Sequence, residues 1–284
     1  MSSKEYSKYL IAGATGRTGI ELVNKLIKQD KKVHIFVRNK TNAKQIFKES
    51  YEKIDKIIEV ELGKDVANKE YLNNQDLKDS IEWCDVLVSA IGSSLGGDPQ
   101  QSDYTSTVDL ITLCENSDNK FKGKIFVLVS SLFVTRPFSF PAILLNYLIP
   151  NVLGWKALAE NRIRHSDLNY LIIRPGHLTA NSSEKKSIGI FQGDKIKGKI
   201  SRGDVAITII EALNDPQINK GRTTIDIVEN NNNRGKLEIN QQVVPDNEKA
   251  IITSDHFTAN KYLNVCLHTI FFLIIIYFII KLKS

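Results

Sequence analysis

The residues best suited to chemistry open the chain. In "YLIAGATGRTGIELVNKLI", Tyr9 to Ile27, three glycines recur at every third position between a short apolar run and an amphipathic one. A strand, a glycine turn and a helix in that order suit the pyrophosphate of a dinucleotide. Gly13 permits the tight turn, Gly16 lets the phosphates approach the main chain, and Gly19 lets the helix lie close on the sheet. Ala14, Thr15 and Thr18 complete the loop, whose amides and helix dipole face the anion. The second apolar run, "HIFVRNK", decides between dinucleotides: an acid at its end would bind a ribose 2′-hydroxyl, an arginine would accept a 2′-phosphate. It ends in Arg38, and with Arg17 from the turn two planar guanidinium forks could clamp that phosphate. NADP(H) is therefore expected ahead of NAD(H). Asp65 and Val66, after the third strand, fall where adenine would lie, although Asp65 reads equally well as a helix N-cap. Ala90, Ile91 and Gly92 end the fourth strand, against the adenosine ribose.

The elements that must hold these residues follow from hydrophobic periodicity. Apolar runs such as "KYLIAG", "KVHIFVR", "KIIEVEL", "DVLVSAIG" and "KIFVLVSS" alternate with helical patterns such as "GIELVNKLIKQ" and "STVDLITLCEN". That alternation predicts an α/β fold, a parallel sheet with helices on both faces. Further on come a helix from Trp155 to His165, a strand "NYLIIRPGHL", the segment "KISRGDVAITIIEAL" and a last strand "TTIDIV". The 284 residues, 42% of them hydrophobic, can fill one large core. Cys84, Cys114 and Cys266 are far apart with no CxxC pair, so neither a disulfide framework nor a metal site is expected. The net charge of +6 comes from scattered lysines with no aromatic interleaving, which argues against nucleic acid as a partner.

Seven segments, "GATGRTG", "VRN", "SAIG", "LVSS", "WKALAE", "NYLIIRPGHLT" and "ISRGDVAITIIEAL", together resemble the atypical short-chain dehydrogenase/reductases, in the branch of NAD(P)H-binding, NmrA-like and flavin-reductase-like proteins. The resemblance covers residues 6 to 229 and implies a doubly wound, Rossmann-type sheet. It also implies a catalytic serine at the end of the fifth strand, where Ser130 and Ser131 stand, and a lysine at Lys156. The family's tyrosine proton donor would lie one helical turn before that lysine, and there the chain has Val152; Tyr147 is nearby but out of helical register. By the same resemblance Arg174, Pro175, Gly176 and His177 approach the nicotinamide. An acceptor that can take its proton from solvent, a quinone or flavin, tolerates the missing tyrosine better than a ketone does.

Two charge-poor stretches point elsewhere. "PFSFPAILLNYLIPNVLGW", residues 137 to 155, is punctuated by three prolines, which excludes a continuous spanning helix. It reads either as an apolar wall of the site or as a surface that dips into a membrane. Leu263 to Ile280 is free of charge and reaches about 27 Å as a helix, enough for a thin bilayer. The expected organisation is a dinucleotide-binding domain over 1–229, a flexible Asn-rich stalk over 230–262, a transmembrane anchor over 263–280 and a basic tail over 281–284. The N-terminus carries no apolar leader, so the domain is expected in the cytosol, tail-anchored in the endoplasmic reticulum or mitochondrial outer membrane. The expected function is a membrane-tethered NADP(H)-dependent reductase of a small apolar carbonyl, quinone or flavin-like acceptor. The alternatives are a non-catalytic NADP(H) sensor or scaffold and a sugar- or sterol-type epimerase or isomerase. The sequence does not specify an oligomeric state.

Overall fold

A computed structural model describes residues 5–64, 69–180, 187–230, 237–240 and 242–246. Asp65 and Val66, the 263–280 segment and the 281–284 tail lie outside the described residues.

The first half of the chain follows the expected alternation: β1 (Lys8–Ala12), α1 (Arg17–Lys28), β2 (Lys32–Val37), α2 (Lys40–Phe47), β3 (Lys56–Glu59), α3 (Gln75–Trp83), β4 (Val86–Ser89), α4 (Ser106–Glu115) and β5 (Ile125–Val129). The second half adds α5 (Phe140–Leu148), α6 (Val152–Arg164), β6 (Tyr170–Pro175), β7 (His177–Thr179), β8 (Ser187–Phe191), β9 (Lys199–Ser201), α7 (Arg202–Asn214), β10 (Arg222–Asn230) and β11 (Leu237–Ile239). The main sheet runs β11-β8-β10-β6-β5-β4-β1-β2-β3. From β3 across to β10 every neighbouring pair is parallel, while β8 returns antiparallel beside β10. Strand order reverses between β1 and β4, and in such sheets the crevice beyond the strand ends at that reversal is where ligands sit.

The strands are apolar on both faces because both faces are covered. Tyr9 and Ile11 of β1 pack in one core with Leu22, Leu26 and Ile209 from α1 and α7, while Leu10 and Ala12 pack with Ile81, Leu110 and Ile163 from α3, α4 and α6. Alternation along one strand thus feeds two helical layers.

The proline-punctuated segment holds the short helix α5 and the start of α6. Pro141 sits in the first turn of α5, where a missing amide costs nothing, and Pro150 follows its end. The chain then bends by 101° into α6. Among the described residues no single helix is long and apolar enough to cross a membrane.

One domain boundary needs correction. The stalk expected from residue 230 does not begin there, because Leu237–Ile239 adds a strand beside β8 and Val243 is buried in the core. The Asp246 carboxylate accepts from the Arg164 guanidinium, the Tyr170 hydroxyl at 2.9 Å and the Thr224 hydroxyl at 2.7 Å. Polar residues beyond 230 read as linker in the sequence, yet Asp246 from this segment supplies a shared acceptor to donors of α6, β6 and β10. Asp246→Ala leaves those three donors without it and should cost about 1–3 kcal/mol, read as a lowered urea midpoint. Truncation after residue 229 should cost more, since β11 and Val243 go as well.

Candidate nucleotide site

The turn between β1 and α1 is built on two contacts that admit no side chain. Gly13 has φ of +80°, and a Cβ there would lie 2.6 Å from the Ala90 carbonyl carbon and 2.7 Å from the Ile91 nitrogen. A Cβ on Gly19 would lie 2.2 Å from the Gly13 oxygen. The turn therefore crosses directly over the end of β4, and α1 rests on the turn. The Gly16 amide donates to the Gly13 oxygen at 3.0 Å, closing the loop. Helix α1 has neither a side-chain N-cap nor an acidic residue in its first turn, so its opening amides suit an anion.

A cavity of about 220 Å³ opens over this turn, at the reversal of strand order. Gly13, Thr15 and Gly16 form its floor, Arg38 stands at the β2 end, and Ala90, Ile91 and Gly92 follow β4. Its far wall comes from the loop after β4, with Ser93, Gly97, Asp98, Gln101 and Ser102. The backbone cradle and its uncapped helix fit a dinucleotide's diphosphate.

Arg38 lines this cavity, but Arg17 does not share it. Arg17 instead acts on Arg202 at the start of α7, whose pKa is lowered first by partial burial and then by the like charge of Arg17. The Arg202 guanidinium donates to the Thr179 oxygen at 2.8 Å. Arg17 is exposed at the start of α1, so of the two expected arginines Arg38 alone is among the residues that line the cavity.

Helix α6 brings Lys156 beside Gly92, a residue of the cavity lining. The Lys156 Nζ lies 2.7 Å from Asp103 Oδ1, and a Cβ on Gly92 would lie 3.7 Å from that nitrogen. Asp103 is buried, and its Oδ2 accepts from the Ser93 amide at 3.0 Å and the Ser102 hydroxyl at 3.2 Å. Asp103 belongs to a wide π-type turn, Gln100–Thr105, that runs into α4, a distortion frequent at functional sites. The Tyr104 ring, 5.8 Å from that of Trp155, packs this turn on α6. Sequence reading missed Asp103; its signal is a lone carboxylate between the glycine-rich loop after β4 and an apolar helix.

Other expected site residues lie elsewhere. The Ser130 hydroxyl donates to Glu160 Oε1 at 2.5 Å, and Arg174 grips the same carboxylate through Nε at 2.9 Å and a terminal nitrogen at 2.5 Å. Burial pushes the Glu160 pKa up, but Arg174, Arg164 and Ser130 outweigh it and hold the group below its ordinary range. A buried carboxylate needs these donors, so Ser130 and Arg174 serve the interface between α6 and the sheet and not the cavity. Ser131 is half-buried just beyond. Pro175 and Gly176 are buried, with a Cβ on Gly176 only 2.5 Å from the Gly198 oxygen, and His177 is exposed. Val152 is buried with Val134, Ala142, Leu153 and Ala157, while Tyr147 faces outward from α5. The apolar wall expected from residues 137–155 contributes nothing to the cavity lining.

A glycine-turn cavity at the reversal of a parallel sheet, with a lysine at its rim, defines a dinucleotide-binding α/β protein. A family model described as NAD(P)H-binding matches residues 13–216, and the chain belongs to that family. Protein TIC 62, chloroplastic, of Arabidopsis thaliana is 31% identical over 234 residues, which are 77% of this chain and 35% of that protein. An uncharacterized chloroplastic protein of the same plant is 30% identical over 213 residues, 72% of this chain and 71% of the relative. The chain thus spans about a third of TIC 62 and most of the second relative. A short-chain dehydrogenase/reductase from Veillonella parvula, solved in complex with NADP, shares the fold with a TM-score of 0.61 at 19% identity, covering 82% of this chain and 100% of its own.

Two outcomes test this geometry. Gly19→Ala cannot be accommodated without moving the turn, so calorimetry should show nucleotide affinity reduced by about tenfold or more. The second concerns Asp226, whose pKa burial pushes up to about 7 despite Arg174. The folded chain then keeps a proton that the unfolded chain has lost, so this group lowers stability as pH rises from the ordinary carboxylate range to about 7, with no further effect above. Asp226→Asn should flatten that decline in a series of urea midpoints against pH.

Proposed function

We propose that this chain is an NADP(H)-dependent reductase tethered to a membrane by its 263–280 segment, acting on a quinone, flavin-like or carbonyl acceptor. The observation that carries the reading is Lys156, held by the buried carboxylate of Asp103 at the rim of the glycine-turn cavity. When bound, the nicotinamide supplies a hydride. The chain's own residues bind and orient. The amides of the β1–α1 turn take the diphosphate, and Arg38 supports NADP(H) over NAD(H) by offering a guanidinium to a 2′-phosphate. Lys156 donates to the nicotinamide ribose, and Asp103 fixes where its ammonium stands.

Proton delivery separates the acceptors. Val152 occupies the place of the family's tyrosine and is buried among aliphatic side chains, and Tyr147 points away on α5. Water is then the proton source, which favours a quinone or flavin whose reduced form protonates from solvent. The greasy pocket wall that would have argued for an apolar substrate is absent from the cavity, so the choice of acceptor rests on proton delivery. A second reading, a nucleotide sensor without turnover, draws on the same Val152.

NADPH oxidation by the full chain in detergent, against quinones, flavins and aldehydes, separates the two. Turnover with quinones or flavins is expected, lowered by about 10- to 100-fold in Lys156→Met. Tight NADPH binding with no acceptor reduced would leave the sensor. Arg38→Ser should weaken NADP(H) by about tenfold or more and change NAD(H) little; equal losses for both would remove the 2′-phosphate from Arg38.

A further inference from the structure

Helix α5 presents an apolar face to solvent. Phe140, Leu144, Tyr147 and Leu148 are 77%, 46%, 53% and 50% exposed, and their spacing places them on one side of the helix. Phe138, just before the helix, is 61% exposed. The opposite side is anchored: Ala142 is buried against Val134 and Leu153, and Asn146 Oδ1 accepts from the Leu153 amide at 2.9 Å. The helix is thus fixed in place while its most apolar side chains face outward, which monomers seldom tolerate without a partner.

The surroundings identify the partner. No acidic residue occurs from 132 to 159. Asp194 ties a basic strap to the root of α5: its carboxylate accepts from the Phe133 amide at 2.6 Å and the Thr135 amide at 2.9 Å, and its carbonyl from Arg136 at 3.1 Å. Lys195 and Lys197 on that strap are exposed. An apolar helix face with Arg136 just before it, and exposed lysines on the strap bonded to its root, match the boundary between headgroups and acyl chains of an anionic bilayer.

Chain length permits it. Asp246 is fastened beside Arg164 at the end of α6, and α5 adjoins the start of that helix, about 20 Å away. The residues from 247 to 262 can reach about 55 Å at most, so one bilayer can receive both the 263–280 segment and α5.

We propose that the outer face of α5, with Phe138, lies in the interfacial layer of the bilayer that holds the 263–280 segment, with Arg136, Lys195 and Lys197 against anionic headgroups. The proposal rests on the reading of 263–280 as a span. It sets the α5–α6 junction, one helical turn from Lys156, against the lipid.

The test uses the full chain with Cys266→Ser and an environment-sensitive label on Leu144→Cys, since Cys84 and Cys114 are buried. On vesicles of phosphatidylcholine and phosphatidylserine the label should shift to the blue and be quenched by a shallow spin-labelled lipid, more weakly on phosphatidylcholine alone. A label on Lys28→Cys should stay water-like. Carbonate-resistant attachment with a water-like label on residue 144 overturns this proposal and leaves the span intact; no attachment at all overturns both. A blue shift already complete without vesicles also overturns it, assigning the face to a second copy if the shift depends on protein concentration and to the chain's own tail if it does not.

Discussion

Three backbone segments meet at van der Waals distance at the start of this chain: the turn after β1, the end of β4 beneath it and the first turn of α1 above it. The missing side chains of Gly13 and Gly19 allow that contact, since a Cβ at either position would fall inside the distance of a normal contact. The floor of the cavity, the direction in which α1 aims its amides and the placement of α7 beside α1 all follow from it. A wider turn would lift α1 from the sheet, open its layer of the core and separate the anion-binding amides from Ala90 and Gly92 across the groove.

A second constraint competes for the site residues. Glu160 is fully buried between α6 and the sheet, where an uncompensated carboxylate would cost several kcal/mol. Arg174, Arg164 and Ser130 neutralise it, and the same arginine lies near Asp226. Side chains with groups fit for catalysis are thereby committed to holding α6 against the sheet. The same helix presents Lys156 a little more than one turn earlier on the same face, so the ion pair at Asp103 and the ion cluster at Glu160 hold α6 at successive turns.

Much of the fold was legible in the sequence. The alternation of doubly apolar strands with amphipathic helices appears as expected, because a strand covered on both faces and a helix covered on one leave distinct local periods. The glycine turn was legible for a similar reason, since its contacts lie within a few residues of themselves. Residues 137–155 were legible only in part: prolines ruled out a long helix, but apolar composition is the same for a pocket wall and an exposed face. The segment after residue 230 was read as linker because its polar composition lacks a period, whereas its place is set by an unpaired edge on β8 and by buried donors seeking Asp246.

By itself, then, the sequence determined the layered sheet, the phosphate-cradling turn and the arginine at the end of β2, all of which depend on neighbours close along the chain. Only the tertiary structure decided that Lys156 pairs with Asp103, that Ser130 and Arg174 turn to Glu160, and that α5 shows its apolar side to solvent. Those outcomes depend on which distant segments come to lie together, and on which buried charge each polar group must satisfy, and no local pattern encodes either.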